Sequence, residues 1–271
     1  MDDFRFSVAM CVYAGDDADN FDAALNSVYE QSLIPDEVVL TVDGPVNEAI
    51  NSVIDKYESL YGLKVHRLKE NMGHGNARRD SLAHCTYDLV AIADADDINR
   101  KDRFEKQISM FRANSNLAVV SSGCYHFSES IESVINEEYL PVTDSEIKKM
   151  MKSRCPLCQP SSIVRKSVVD KVGGYLDWYY AEDYYLWLRL FLNNAEFANS
   201  EECLLYMRSS PDQMNRRGGY AYFKSLRNLY KYMLKNKVIN IFQYSFNVTS
   251  RFVIQVLMTS KMRAFVRKVL L

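Results

Sequence analysis

The chain has 271 residues, of which 48% are hydrophobic and 25% are charged, and this composition excludes a disordered chain and allows a sizeable core. A formal net charge of −2 excludes a generally basic protein that binds nucleic acid. The charge is uneven, because residues 220–271 contain ten Lys or Arg and no Asp or Glu. This asymmetry indicates a basic C-terminal extension with an anionic partner.

The first half alternates short apolar runs with amphipathic helical patterns. The patterns predict strands at 5–13, 36–44, 63–69 and 88–96 and helices at 20–32, 46–62, 75–85 and 100–114. Strands that are apolar throughout and alternate with helices predict a mostly parallel sheet covered on both faces. In such sheets, ligands bind beyond the carboxyl ends of the strands.

The second half is less regular. A strand is predicted at 117–127, and a loop or a small antiparallel excursion at 128–142. Thr143 and Glu146 form a capping box that predicts a helix over 143–153. Residues 155–194 are rich in aromatic side chains and become helical from about Glu182.

Three carboxylates, Asp94, Asp96 and Asp97, follow the apolar run of the fourth strand. On a continued strand Asp94 and Asp96 would point to the same side. Two adjacent carboxylates suit Mg²⁺ or Mn²⁺, which would also cancel their repulsion. The alternative, a cap or dipole partner at the start of the next helix, explains Asp97 but not Asp94.

Other polar groups also fall at predicted strand ends. Tyr13 ends the first strand, Asp43 ends the second, and the Gly-rich segment 70–81 leads into a helix that carries two arginines. A helix N-terminus with arginines nearby suits an anion. For Arg79, a solvated surface position is an equally good explanation.

In the order and spacing of these segments the chain resembles the family 2 inverting glycosyltransferases, in particular the bacterial enzymes that build O-antigen, capsule or exopolysaccharide. Five segments within about residues 5–210 carry the resemblance: FSVAMCVYAG, DEVVLTVDGP, NMGHGNARRDSL, VAIADADDI and YYAEDYYLWLRL. The resemblance implies an α/β GT-A fold with a Rossmann-like mixed sheet. It places a catalytic domain at 1–219, with a nucleotide-binding half at about 1–115 and an acceptor-binding half at about 116–219, followed by the helical extension 220–271.

The resemblance also implies roles for individual residues. Asp183 would be the catalytic base with Glu182 beside it, and Asp96 with Asp94 would bind the divalent cation, Mn²⁺ or Mg²⁺. The nucleotide-sugar donor would contact Val12, Tyr13, Asp43, Asn71, Arg78, Asp94 and Ala95. Without the resemblance, two acids at a helix start are explained equally well as partners of the helix dipole.

One feature departs from the family pattern. Many metal-using members have a His after the base segment, whereas His66, His74, His84 and His126 all precede it. The corresponding region, 206–219, contains instead Arg208, Asp212, Gln213, Arg216 and Arg217. Either the cation is held by Asp96 and the diphosphate, or these basic groups hold the leaving phosphates.

The C-terminal residues 251–271 carry polar or basic residues every four positions, at Arg251, Gln255, Thr259, Arg263 and Arg267, with apolar residues between them. The pattern predicts a basic amphipathic helix on an anionic membrane surface. The alternative is a helix packed on the catalytic domain. No uncharged apolar run approaches the roughly 20 residues of a membrane span.

Six cysteines are scattered along the chain, and the N-terminal residues lack the pattern of a signal peptide. We therefore expect thiols in a reducing compartment. Cys155 and Cys158 form a lone C-x-x-C without a second pair of zinc ligands at suitable spacing, and we expect ordinary thiols on the acceptor side.

The expected function is the transfer of a hexose from a UDP-sugar to a lipid-linked oligosaccharide at the cytoplasmic face of the bacterial inner membrane. One alternative is a metal-dependent nucleotidyltransferase, which also uses paired aspartates on an α/β sheet. The other is a non-catalytic module that binds sugar nucleotides or membranes.

Overall fold

A computed structural model describes residues 4–209, 218–259 and 262–263. Nine strands lie in these residues: β1 (Phe6–Tyr13), β2 (Glu37–Asp43), β3 (Lys64–Arg67), β4 (Leu89–Ala93), β5 (Ile98–Asn99), β6 (Leu117–Phe127), β7 (Val134–Glu138), β8 (Ile163–Arg165) and β9 (Glu196–Arg208). They form one sheet in the order β3-β2-β1-β4-β8-β6-β9-β5, and β7 pairs with β6. Strands β1 to β4 are parallel, whereas β8 runs antiparallel to β4 and β6. The predicted mixed α/β sheet is confirmed.

The described helices are α1 (Ala18–Tyr29), α2 (Glu48–Tyr61), α3 (His74–His84), α4 (Arg103–Ala113), α5 (Asp144–Met150), α6 (Lys166–Lys171), α7 (Glu182–Leu192), α8 (Gly219–Lys235) and α9 (Ile241–Phe252). Side chains cap several N-termini: Asp17 caps α1, and Thr143 with Glu146 forms the predicted capping box of α5. Gly62 ends α2 in the left-handed conformation.

The helices cover both faces of the sheet. Phe6, Val8 and Met10 of β1 lie in one apolar cluster with α1, α2 and α4. Ala9 of the same strand belongs to the other cluster, with α3, α5, α7 and α8, because successive side chains of a strand point to opposite faces. The result is a three-layer arrangement whose open rim lies at the carboxyl ends of β1, β2 and β4.

Two predicted elements have different bounds in the structure, and some strands were not predicted. The fourth strand ends at Ala93, not at residue 96. The next helix begins at Arg103, not at residue 100, because Ile98 and Asn99 form β5 and pair with β9. Strands β8 and β9 lie in segments for which the sequence predicted no strand, and both are fixed by pairing with strands distant in the chain.

The C-terminal extension is not one continuous helix. Helix α9 begins at Ile241, passes into a π-helical turn at Val253–Leu257, and stops at Met258, where ψ is 140°. The prediction of an unbroken helix over 251–271 is therefore wrong for 258–259, and residues 260–261 and 264–271 lie outside the described part. Among the helices that the structure describes, none is long and apolar enough to cross a bilayer.

The polar stripe expected on the membrane side of this segment turns inward. The Arg251 guanidinium donates to a tyrosine hydroxyl, Gln255 is buried, and Arg263 donates to a backbone carbonyl. Phe242 and Phe246 instead face outward, with 81% and 73% of their surface exposed. Within 251–259, Leu257 is 63% exposed, so the alternative of a helix that packs its apolar side chains on the domain does not describe this residue.

Candidate active site

The predicted rim of polar side chains forms at adjacent strand ends. Tyr13 and Asp43 are register partners at the ends of β1 and β2, and Asp94 follows Ala93 at the end of β4. Val12 is buried beneath the rim, whereas 40% of the Tyr13 surface is exposed. Tyr13 can therefore contact a ligand with its ring, while Val12 can do so only through its backbone.

Asp43 organises the loop that precedes α3. Its two carboxylate oxygens accept hydrogen bonds from the backbone N–H groups of Met72 (2.7 Å) and Gly73 (3.1 Å). The Asn71 side-chain amide donates to the Asp43 carbonyl at 3.3 Å. Gly44, at φ +84°, allows the close approach, because a Cβ there would lie 2.7 Å from the Asn71 nitrogen. Asp43 acts in this structure as a positioning residue for Asn71.

Arg78 joins the two acidic segments of the site. It lies on α3 and is buried, and its guanidinium contacts Asp94 Oδ1 at 2.8 Å and Glu182 Oε1 at 3.1 Å. The fork of the guanidinium suits two carboxylates at once. The resemblance placed Arg78 along the nucleotide; the structure shows it between the strand end and the start of α7.

The pKa values of the two carboxyls differ in direction. Burial acts to raise the pKa of Asp94, but Arg78 and then His74 outweigh it and hold this pKa below its ordinary value. The pKa of Glu182 is raised, first by burial and then by the charge of Asp183, although Arg78 opposes both. The charge of Arg78 therefore keeps both carboxyls closer to the ionised state than their burial alone would allow.

The acidic turn, residues 94–97, is bent rather than extended. Since β4 ends at Ala93, the alternation that predicted a shared side for Asp94 and Asp96 does not reach them. Ala95 is buried and Asp96 is half-buried. Asp97 is not at a helix start: it is buried, and its Oδ1 accepts from the backbone N–H of Arg208 at 2.9 Å.

Arg208 holds this turn from β9. Its Nε donates to the Asp96 carbonyl at 3.1 Å, and its Nη1 donates to a second backbone carbonyl in the β6–β7 connection. Arg208 thus supports the backbone of the acidic turn. Asp212, Gln213, Arg216 and Arg217 lie outside the described residues.

Helix α7 supplies the second acidic segment. Glu182 is buried and paired with Arg78, whereas Asp183 is half-buried, and its Oδ1 accepts from the neighbouring Tyr184 N–H at 2.6 Å. Tyr179 and Tyr180 precede the helix with exposed rings 4.6 Å apart, and Tyr180 adopts a left-handed φ of 49°. Such a conformation is costly for a tyrosine and marks a constrained segment.

Two residues at the site were not singled out from the sequence. His74, the first residue of α3, lies 3.7 Å from Glu182 Oε1, and its position in the Gly-rich turn was the available signal. Arg103 is fully buried and donates to the carbonyls of Ile92 and Ser162, so it supports the end of β4. Nothing in the local pattern distinguished Arg103 from a surface arginine.

Residues 7–173 match the family model described as glycosyl transferase family 2. The chain belongs to this family. As a family 2 glycosyltransferase it is an enzyme, and its fold is GT-A-like.

Two curated relatives of this glycosyltransferase are bacterial enzymes. It is 34% identical over 258 residues to an Escherichia coli UDP-Gal:alpha-D-GlcNAc-diphosphoundecaprenol beta-1,3-galactosyltransferase, covering 94% of this chain and 93% of that one. It is 33% identical over 232 residues to the amylovoran biosynthesis glycosyltransferase AmsE of Erwinia amylovora, covering 86% of each chain. The predicted resemblance to enzymes of surface polysaccharide synthesis is confirmed.

Solved structures agree on the fold. The S. aureus TarS fragment in complex with UDP-GlcNAc aligns with a TM-score of 0.67 at 18% identity, covering 92% of this glycosyltransferase and 72% of that chain. The mannosyltransferase PcManGT from Pyrobaculum calidifontis, in complex with GDP-Man and Mn²⁺, aligns with a TM-score of 0.61 at 16% identity, covering 92% and 74%. At this identity the likeness supports the fold alone.

Proposed function

We propose that the enzyme transfers a hexose from a UDP-sugar, with inversion, to a hydroxyl of a lipid-diphosphate-linked glycan. One observation carries the proposal: Arg78 brings the acidic turn at Asp94 and the carboxylates at the start of α7 into a single site. The choice of donor and acceptor is supported by the E. coli relative, whose name specifies UDP-Gal and a diphosphoundecaprenol acceptor.

The donor half is formed by the loops at the rim. Tyr13 would lie against the base, Asn71 along the nucleotide, and Asp94 and Ala95 near the ribose. Asp43 would act mainly by fixing the 71–73 loop, through the two N–H groups that it already binds.

The residues of the acidic turn fit a divalent cation. Carboxylate oxygens are the ligands that Mg²⁺ and Mn²⁺ prefer, and Asp96 is half-buried at the rim. The pKa of Asp97 is raised first by burial and then by the charges of Asp96 and Asp94. Asp96, with Asp94, would hold the cation, which when bound would neutralise charge on the departing diphosphate.

Asp183 is the better of the two acids for the role of base. Glu182 is committed to Arg78, whereas Asp183 is more exposed and lies beside the exposed rings of Tyr179 and Tyr180. In a single displacement the acceptor oxygen attacks the anomeric carbon, its proton passes to Asp183, and the bond to the nucleoside diphosphate breaks. Glu182 would act as a positioning residue.

A groove beside this segment suits the acceptor. It is lined by Trp178, Tyr179, Lys224, Ser225 and Asn228. Ser225 ties α8 to the segment before α7, by donating to the Tyr179 carbonyl at 2.6 Å. Aromatic faces suit sugar rings, and the ammonium of Lys224 suits the diphosphate of a lipid carrier.

The test is a transfer assay with UDP-hexoses and a synthetic lipid-diphosphate GlcNAc acceptor, followed by mass spectrometry. Asp183→Asn should lower kcat by at least about 100-fold, as expected for loss of a general base, and should retain binding of UDP. Asp177→Asn, six residues earlier and exposed, is the matched control and should keep activity.

The same assay separates the alternatives. Release of UDP supports glycosyl transfer, whereas release of pyrophosphate would show a nucleotidyltransferase, which the family assignment already disfavours. Full activity of Asp183→Asn would exclude Asp183 as the base. Unchanged metal-dependent UDP binding in Asp96→Ala would exclude Asp96 as a metal ligand.

We also propose that the C-terminal extension binds the cytoplasmic face of the bacterial inner membrane, where such an acceptor would be presented. Phe242 and Phe246 are exposed on α9, and Lys224, Arg227 and Lys231 are exposed on α8. Exposed aromatic side chains with nearby cations are typical of binding to anionic interfaces.

Co-sedimentation with vesicles tests the membrane surface. Phe242→Ser with Phe246→Ser should reduce binding to vesicles that contain phosphatidylglycerol, and added salt should weaken the binding of the unaltered protein. Ile34→Ser, at a side chain 63% exposed on the connection between α1 and β2, is the matched control. Equal losses in both variants would contradict the proposed surface.

A further inference from the structure

A cluster of metal-binding side chains lies between β6, β7 and the loop before β8, apart from the acidic turn. Cys124 and His126 are two residues apart on β6 and therefore share a face. Glu138 on β7 is the antiparallel register partner of Cys124. One ligand atom from each of these three residues lies within 4.8 Å of the other two.

A fourth ligand comes from a distant part of the chain. The Cys158 thiol lies close enough to the Cys124 thiol to raise the pKa of Cys124. Three serine hydroxyls, from Ser121, Ser161 and Ser162, hold the Cys158 carbonyl at 2.8 to 3.0 Å. The position of Cys158 is therefore fixed by the backbone. Cys155, its neighbour in the C-x-x-C, instead donates to the Leu157 carbonyl.

We propose that Cys124, His126, Glu138 and Cys158 bind a structural Zn²⁺ ion. Thiolate, imidazole and carboxylate are the zinc ligands of proteins, and bonds of about 2.0–2.3 Å in a tetrahedron separate ligand atoms by roughly 3.3–3.8 Å. His126 Nε2 lies 3.5 Å from Cys124 Sγ and 3.0 Å from Glu138 Oε2. Cys124, His126 and Glu138 already place their ligand atoms around one point, and Cys158 would be the fourth ligand from beside Cys124.

The orientation of the histidine supports this assignment. His126 Nε2 faces both the thiol and the carboxylate, while Nδ1 lies 3.1 Å from the Ser209 hydroxyl. Zinc-bound histidines characteristically engage the other ring nitrogen in such a hydrogen bond. Without an ion, Nε2 can donate its single proton to only one of its two neighbours, whereas one cation would satisfy the thiolates and the carboxylate together.

The backbone also permits the close approach of β7. A Cβ at Gly123 would overlap the Glu138 carbonyl oxygen and would lie 2.9 Å from Cys203 Sγ. Four protein ligands leave no open position for substrate, so the ion would be structural. It would tie the β6–β7 hairpin to the loop that carries Cys158 and, through Ser209, to the end of β9.

Metal titration of the tag-free full-length chain tests the proposal. The protein is reduced, stripped with a chelator, and titrated with Zn²⁺ against a chromophoric competitor and with Co²⁺. We expect one tightly bound Zn²⁺ per chain, a rise in Tm on binding, and a thiolate-to-cobalt charge-transfer band. Ser209→Ala should weaken Zn²⁺ binding by about 10–100-fold.

Variants then locate the ion. Cys158→Ser, at a half-buried side chain, should weaken Zn²⁺ binding more than Ser209→Ala and reduce the charge-transfer band; Cys124→Ala should do the same. His66→Ala is the matched control, because His66, Asp80 and His84 form the other cluster of potential ligands in the described residues. Asp96→Asn should also retain the band.

Three results would overturn the proposal. They are the absence of a tight zinc equivalent in the reduced protein, a charge-transfer band that survives in both cysteine variants, and loss of the band in His66→Ala. The first result would show that the cluster is only a hydrogen-bond network. The third would place the metal at the α3 edge of the sheet.

Discussion

Replacing Arg78 with methionine tests whether one buried cation balances the two acidic segments of the site. The substitution keeps much of the side-chain volume but removes the guanidinium, so that the half-buried Asp94 and the buried Glu182 lose their cation. Breaking a buried ion pair in this way costs about 3–5 kcal/mol. For a chain of this size the loss corresponds to a fall in Tm of roughly 6–20 °C.

The penalty should depend on pH, and its sign follows from the two pKa values. In the unaltered protein Arg78 favours the ionised forms of Asp94 and Glu182. In Arg78→Met both pKa values rise, so the full penalty is present where both carboxyls are ionised. The penalty shrinks as pH falls and the carboxyls take up protons. The difference in unfolding free energy between the two proteins should therefore be larger at pH 8 than at pH 5.

The assay is urea denaturation at several pH values, together with a pH profile of kcat/KM. Arg78→Met should shift the low-pH limb of the profile to higher pH. Arg78→Lys should restore part of the stability, because an ammonium carries the charge without the fork that bridges two carboxylates. Arg79→Met is the matched control: Arg79 is exposed and contacts Asn76, and the change should alter stability by less than about 0.5 kcal/mol.

Two outcomes would refute this reasoning. A stability difference that stays constant from pH 5 to pH 8 would show that Arg78 acts through packing rather than charge. A loss of UDP affinity with no change in stability would place the guanidinium on the nucleotide, as the family resemblance implied.

Three further predictions concern other carboxyls. Asp43→Ala should raise KM for the donor by about tenfold or more, because two charge-assisted hydrogen bonds to the 71–73 loop are lost, whereas the exposed control Asp55→Asn should not. Glu37→Gln should lower the free energy of unfolding at pH 7, and in urea denaturation the two proteins should become equally stable near pH 2. Burial would raise the pKa of Glu37, but bonds to Lys64 and two hydroxyls lower it to about 2. The stabilisation by Glu37 is therefore lost as pH falls towards that value. Asp97→Asn should retain activity and should be more stable than the unaltered protein at pH 8. The reason is that the raised pKa of Asp97 makes its ionisation in the folded protein costly at high pH. A loss of stability in thermal denaturation would contradict this prediction.

Local patterns were sufficient for several elements in both halves of the chain. The bounds of β6 and the start of α7 agree with the sequence, and α2 ends at Gly62 as predicted. Elements set by distant partners were not predictable in this way. Strand β5 has two residues and exists because it pairs with β9, and β8 has three residues placed between β4 and β6.

The site shows the same division. The positions of Tyr13, Asp43 and Asp94 followed from the rule that parallel strands end at one rim. The contact between Arg78 and Glu182 joins residues 104 positions apart, and the spacing of charges along the chain contains no signal for it. The partnership of Cys158 with Cys124 was likewise hidden, because the nearby Cys155 suggested a different pair.

Among the three crowded carboxylates at the end of β4, Asp94 and Asp97 have different neighbours. Asp94 has the guanidinium of Arg78, and Asp97 is buried against the Arg208 backbone N–H, where its raised pKa favours the neutral form. Asp96, with Asp94, would bind the proposed divalent cation. Substitutions at the three positions should therefore have distinct effects. Substitution of Asp94 should alter stability and its pH dependence, and substitution of Asp97 should alter stability at high pH. Substitution of Asp96 should alter the metal-dependent binding of the donor.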